Sequence, residues 1–190
     1  MKHNNETYIA QTRCWLENVV IKHNLCPFAH KPFHGGQIRY IVTDSARPEF
    51  LLEDLQQELD HLRATPADEL ETTLLIHPGV LEDFLEYNDF FDLVDMLLSE
   101  CGYEGEFQVA SFHPDYQFEG TRPEDAENYT NRSPWPMLHL IREENLEQAI
   151  ATYPDADGIP ERNIQTMNAL GAEHHRKVLD ACLQQGTDNS

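Results

Sequence analysis

The sequence predicts an α/β (or α+β) fold, a single domain with a small mixed sheet of about four strands, helices packed on it, and helices at both ends. Two observations carry this. Apolar, strand-like runs at residues 37–43, 72–76, 107–112 and 137–141 are separated mostly by segments whose apolar positions recur at helical spacing. The chain has 190 residues, enough for one sizeable core and short for two. The apolar runs are regular and no low-complexity tract interrupts them, so the chain should fold despite a mean hydropathy of −0.57.

Residues 7–23 place Ile9, Cys14 or Trp15, Val19 and Val20 on one helical face, and Pro27 helps to end that helix near Asn24. A loop over 24–36 follows, with Cys26, Phe28, His30 and His34 among prolines and glycines, and leads into the first strand. Asp44 or Ser45 is placed to cap a second helix, with Pro48 in its first turn, Phe50, Leu51, Leu55, Leu59 and Leu62 on one side, and Pro66 at its end. The strand 72–76 is β-branched and apolar, bounded by acids on one side and His77-Pro78-Gly79 on the other, and reads as fully buried. Residues 80–101 carry Leu81, Phe84, Leu85, Phe91, Val94, Leu97 and Leu98, one helix or two broken near Asn88, with Gly102 as the stop. Beyond the fourth strand, Asn145 caps a short helix reaching Tyr153. A last helix then runs from Glu161 towards Gln184 with Ile164, Met167, Leu170, Val178, Ala181 and Cys182 on one stripe, before a short flexible tail beginning near residue 186. Strands separated by helices favour crossover connections, so the first three strands should run parallel in one sheet.

Charge narrows the function. A net charge of −21, from 34 acidic and 13 basic residues, repels phosphate backbones and anionic membranes, which argues against nucleic acid and membrane partners. Solubility, or adaptation to a salty cytoplasm, explains the acidity; a basic partner is the alternative. The first residues lack the features of a secretory signal and no run approaches a membrane span, so the expected location is cytoplasmic. Cys14, Cys26, Cys101 and Cys182 are widely spaced and form no Cys-x-x-Cys, so reduced thiols are expected. Gly-x-Ser-x-Gly, Gly-rich phosphate loops and His-Glu-x-x-His are all missing.

The strand ends attract the chemistry. Two strands close on the same dipeptide, His77-Pro78 and His113-Pro114, and ligands of open α/β sheets gather beyond the carboxyl ends of strands. The connection from residue 114 to 135 exceeds the usual loop length, and its aromatics favour an ordered, functional segment. If the fourth strand returns antiparallel, Arg132 comes back beside His113. The expected site is therefore a pocket in which His113, Asp115, Tyr116 and Arg132 are catalytic, with His113 as acid or base and Arg132 as an anion clamp. Asn128, Asn131, Ser133, Trp135 and Arg142 would bind a small anionic substrate. His77 and His113 with Cys26, joined by His30 or His34 if the first loop folds over that edge, would hold zinc or iron with an open position; without a metal the same pocket works through His113 and Arg132. Blander readings stand beside these. His139 fits a hydrogen-bonded core histidine, Arg132 and Arg142 fit structural pairs, Asn128 and Asn131 fit turns, and Cys26 fits packing better than nucleophilic attack. A small enzyme, a non-catalytic module binding an anion or a protein, and a satisfied structural network all remain open.

The motifs Leu25-Cys26-Pro27-Phe28-Ala29, Phe112-His113-Pro114-Asp115-Tyr116-Gln117-Phe118, Thr130-Asn131-Arg132-Ser133-Pro134-Trp135-Pro136 and Ile159-Pro160-Glu161-Arg162-Asn163, with His139 and Arg142-Glu143, resemble an uncharacterised bacterial family, domain of unknown function 1415. The resemblance spans essentially the whole chain. It implies a small cytosolic bacterial protein and brings no activity, cofactor or catalytic residue with it.

Overall fold

A computed structural model describes residues 5–187, so the last residues of the expected tail, 188–190, lie outside the described residues. Helix α1 (Asn5–Trp15) continues through Leu16–Ile21 as wider π-helical turns, where the amides of Lys22 and Leu25 reach the carbonyls of Glu17 and Val20 at 3.1 and 2.9 Å. These turns keep Trp15, Leu16, Val19 and Val20 all facing inward. Asn24, at φ 51°, adopts the left-handed conformation that asparagine tolerates and ends the run. The segment expected to be a plain loop instead holds a 3₁₀ turn (Pro27–Ala29) and a short helix α2 (His30–Gly35). Pro32 sits in the first turn of α2, where its missing N–H leaves no helical hydrogen bond unmade.

Strand β1 (Ile38–Val42) leads to α3 (Pro48–Ala64), whose N-cap position is Arg47 rather than Asp44 or Ser45. Ser45 and Thr43 donate their hydroxyl protons to Asp54 within the helix, Ser45 at 2.6 Å, so that side-chain bonding is spent against the helix body. Leu51, Leu55, Leu59 and Leu62 form the buried stripe; truncating any one to Ala would cost about 2–5 kcal/mol. Strand β2 (Thr72–Ile76) is buried at every position, as expected for a strand covered by helices on both faces.

Helix α4 (Phe84–Glu100) is unbroken at Asn88. Asp83 caps it by accepting from the amides of Leu85 and Glu86 at 2.9 and 3.1 Å. The buried stripe is Tyr87, Phe90, Val94 and Leu98, whereas Leu85, expected inside, is 72% exposed, because it falls on the outer side of the helix set by that stripe. Gly102, at φ 67°, stops the helix, and the amide of Tyr103 returns to the Leu98 carbonyl at 2.8 Å.

Strands β3 (Phe107–Phe112) and β4 (Met137–Arg142) are followed by α5 (Glu143–Thr152), α6 (Ile159–Leu170) and α7 (Ala172–Leu183). Asn145 does not cap α5; its amide donates to Glu71 at 2.8 Å. The single last helix of the sequence reading is two, broken by Gly171 at φ 82° and ψ 151°, a region open essentially only to glycine.

The sheet order is β1-β2-β4-β3. Strands β1 and β2 pair in parallel, and β4 runs antiparallel between β2 and β3. The first three strands thus point the same way, as expected, but β3 joins β2 only through β4. Side chains alternate across the sheet. Leu75, Leu138, Leu140 and Phe107 face α3 and α4, while Leu74, Ile76 and Met137 face Trp15, Val19, Met167 and Cys182 of α1, its continuation, α6 and α7. The result is a three-layer α/β domain. Among the described residues no helix is long and apolar enough to cross a membrane.

Candidate functional site

His77 and His113 lie one residue beyond β2 and β3, on the same edge and on the α4 side of the sheet. Their backbones extend the ladder: the His77 amide donates to the Pro136 carbonyl at 3.0 Å, and the His113 amide to that of Asn131 at 3.2 Å. Both side chains are fully buried. Tyr87 lies between them, stacked on His77 with ring centroids 5.7 Å apart and tilted against His113 at 5.0 Å, and Phe84 lies 5.4 Å from His113. The two imidazoles therefore do meet in one cluster, built on aromatic faces.

Their nitrogens are occupied as follows. His77 Nδ1–H donates to the Val80 carbonyl at 2.9 Å. His113 Nδ1 accepts the Asp115 amide at 3.0 Å, which fixes the proton on Nε2, and Nε2–H donates to the Leu81 carbonyl at 3.2 Å. Two consecutive carbonyls of the loop after β2 are thus held by the two histidines. Leu81 takes φ 56°, an unusual conformation for leucine. Burial, with a smaller contribution from neighbouring His113, pushes the His77 imidazole down to about 4; burial also lowers His113. Both are neutral near pH 7. The Nε2 atom of His77 is buried without a hydrogen-bond partner.

The other expected residues take structural partners. Asp115 is exposed and contributes its backbone amide to His113. Tyr116 packs its ring on Phe84 and Phe118, at 5.1 and 4.9 Å. Asn128 is fully buried and organises the long connection: its Oδ1 accepts from the Phe118 amide and the Thr121 hydroxyl, and its Nδ2 donates to the Arg122 carbonyl. Asn131 donates to the Ser111 carbonyl, Ser133 to that of Trp135, and the Trp135 indole to Gln11 of α1. Arg142 gathers the carbonyls of Leu62, Thr65 and Leu70 at the end of α3, far along β4 from the strand-end histidines. His139 hydrogen-bonds Thr72 at 2.8 Å, as a core histidine should.

Of the residues named for a metal, only His77 and His113 come together. Cys26 packs with the core on the opposite face of the sheet from His77 and His113. Among the described residues no group of three or more His, Cys, Asp or Glu side chains is arranged to hold a metal ion.

Arg132 turns away from His113. Its Nε donates to the Tyr116 carbonyl at 3.0 Å, one Nη2 proton goes to the Pro123 carbonyl at 2.8 Å, and the guanidinium lies 4.8 Å over the Tyr129 ring. It lines a surface cleft of about 400 Å³ between the long connection and the start of α7, with Tyr129, Glu124, Ala172, Glu173 and Arg176. Glu173 pairs with Lys177 at 2.7 Å. Arg176 makes no ion pair among the described residues, and Nη1 of Arg132 has no protein acceptor there. Sequence reading missed Tyr87 and Arg176. Tyr87 was legible as the position three after Phe84 on the helical stripe, whereas a lone arginine on the last helix carries no signal.

These features define a three-layer α/β domain with neutral imidazoles locked at the strand ends and a surface cleft beside α7 that holds two arginines and two glutamates. The chain belongs to the family described as protein of unknown function (DUF1415), whose model matches residues 7–177. No curated protein and no solved structure matches it.

Proposed function

We propose that the chain is a cytoplasmic, non-catalytic recognition module that binds a small anion in the cleft between residues 123–132 and the N-terminal turn of α7. The observation that carries the reading is the pairing of two arginines, Arg132 and Arg176, with donors unspent on the protein, around one cleft. Arg132 is oriented in advance by two backbone carbonyls and the Tyr129 ring, so little side-chain entropy remains to be lost on binding. The first turn of α7 adds backbone N–H groups with no helical acceptor and the positive end of a helix dipole. Glu124 and Glu173 on the rim, the latter turned onto Lys177, limit how much negative charge the cleft accepts, which favours a single carboxylate or phosphate group over a polyanion.

The test is thermal melting with inorganic phosphate, against sodium chloride at matched ionic strength. Saturating phosphate is expected to raise the melting temperature by about 2–5 °C. Arg176→Ala, which removes an exposed and unpaired side chain, should melt as the parent does without phosphate and lose that rise. An equal rise in the variant, or none in the parent, sinks the reading.

An enzyme using His113 on an anionic substrate is the second reading. The buried, unpartnered Nε2 of His77 and the left-handed Leu81 favour it. For His113 to move a proton, the loop after β2 has to release its Nε2. Exchange of the His113 ring proton with solvent as slow as global unfolding would count against that release.

A further inference from the structure

A second cleft of about 430 Å³ lies between α1 with its continuation and α7, lined by Cys14, Asn18, Lys22, His174, Lys177 and Cys182. The two helices are antiparallel neighbours tied at successive turns. Thr7 donates to the Gly186 carbonyl at 3.2 Å and Gln11 to the Leu183 carbonyl at 2.6 Å. Stepping along the same stripe of α1 brings Cys14 opposite Cys182, and both side chains line the cleft. Residues from opposite ends of the sequence thus meet as a thiol pair that the flanking hydrogen bonds hold in register.

We infer that Cys14 and Cys182 form a thiol–disulfide site, in which Cys14 reacts with a small disulfide from the cleft and Cys182 closes an internal disulfide between the first and last helices. The two thiols differ in the way such a pair requires. Cys14 is half-buried, opens onto the cleft and accepts a hydrogen bond from Asn18 Nδ2 at 3.6 Å, so its sulfur is within reach of a disulfide entering there. Cys182 is 1% exposed, and both its burial and the Cys14 sulfur beside it push its thiol up, so it stays protonated until Cys14 has reacted. Lys22, Lys177 and His174 around the opening favour an anionic disulfide such as oxidised glutathione, although Lys177 shares its charge with Glu173.

The exchange balances without a further redox partner. The Cys14 thiolate attacks one glutathione sulfur, breaking that S–S bond and releasing one glutathione thiolate. The Cys182 thiol gives its proton to solvent or to that leaving thiolate, and its sulfur attacks Cys14 in the mixed disulfide. The second glutathione leaves; the protein is oxidised by two electrons and one glutathione disulfide is reduced to two thiols.

The experiment incubates the full chain in glutathione redox buffers of rising oxidised fraction, quenches with acid, and maps linkages by peptide mass spectrometry beside thermal melting. The expected product is an internal link between Cys14 and Cys182, with two hydrogens lost and the free thiols falling from four to two. Because the link closes nearly the whole chain, it should raise the melting temperature by roughly 5–15 °C, reversibly with dithiothreitol. Cys14→Ser and Cys182→Ala should each abolish the link and the rise. A stable glutathione adduct on Cys14 without closure, a link through Cys26 or Cys101, or four free thiols at the most oxidising ratio would each overturn the proposal.

Discussion

Tyr87→Phe isolates the hydroxyl that ties the sheet edge together. The phenol donates to the Met137 carbonyl at 2.8 Å and accepts the Phe112 amide at 2.9 Å, and these two residues face each other across the β3–β4 pair. One oxygen therefore joins the end of β3 to the start of β4, next to both histidines. Phenylalanine keeps the ring and its contacts with His77 and His113 while the Met137 carbonyl and the Phe112 amide each lose the bond that the phenol supplies. Met137 is fully buried and Phe112 half-buried, so the carbonyl bears nearly the whole desolvation cost and the amide part of it. At about 1–3 kcal/mol for each buried unsatisfied group, the loss should be about 2–4 kcal/mol. For a chain of this size that corresponds to a fall in melting temperature of roughly 5–15 °C. Urea unfolding is the assay: the midpoint should fall at constant m-value, and the Phe112 amide should lose exchange protection more than its neighbours. A change below about 0.5 kcal/mol would refute the claim that this hydroxyl holds the strand ends together, since surface substitutions alone reach that size.

Stability should fall between pH 7 and pH 5. His77 and His139 are each held down to about 4, chiefly by burial, against an unfolded value near 6.5. The unfolded chain therefore takes up protons first: the stability is complete above about 6.5 and is lost as pH falls towards 4, with about 2 kcal/mol per histidine gone by pH 5. Urea midpoints at the two pH values measure it, His77→Asn should remove about half of the change, and a flat parent profile would contradict the burial argument. Arg142→Met should cost about 2–4 kcal/mol by leaving the Leu62, Thr65 and Leu70 carbonyls without their shared donor, with the phosphate response unchanged. A variant that melted normally but no longer responded to phosphate would return Arg142 to the substrate-binding role read from the sequence.

What the sequence revealed depended on whether the signal was local. Thr72–Ile76 and Phe107–Phe112 were legible to the residue because an apolar run between turn residues admits few alternatives. Gly171 was overlooked because its neighbours keep the apolar spacing through the break, and only its backbone angles reveal it. The insertion of β4 between β2 and β3 was invisible, since spacing sets a strand's existence but not its partner. The same division runs through the site. The matched His-Pro dipeptides located a real convergence, because Pro extends the residue before it and the parallel directions put both imidazoles on one edge. What they could not show is where each nitrogen points, and that decides the chemistry: the loop carbonyls of Val80 and Leu81 hold the protons that catalysis would need to move. Arg132 follows the same logic in reverse. Its neighbourhood in sequence put it beside His113, but the Tyr116 and Pro123 carbonyls draw its guanidinium across to α7, where it meets Arg176. An anion held there would contact the long connection and the last helix, and through α7 it would bear on the seam that carries Cys14 and Cys182.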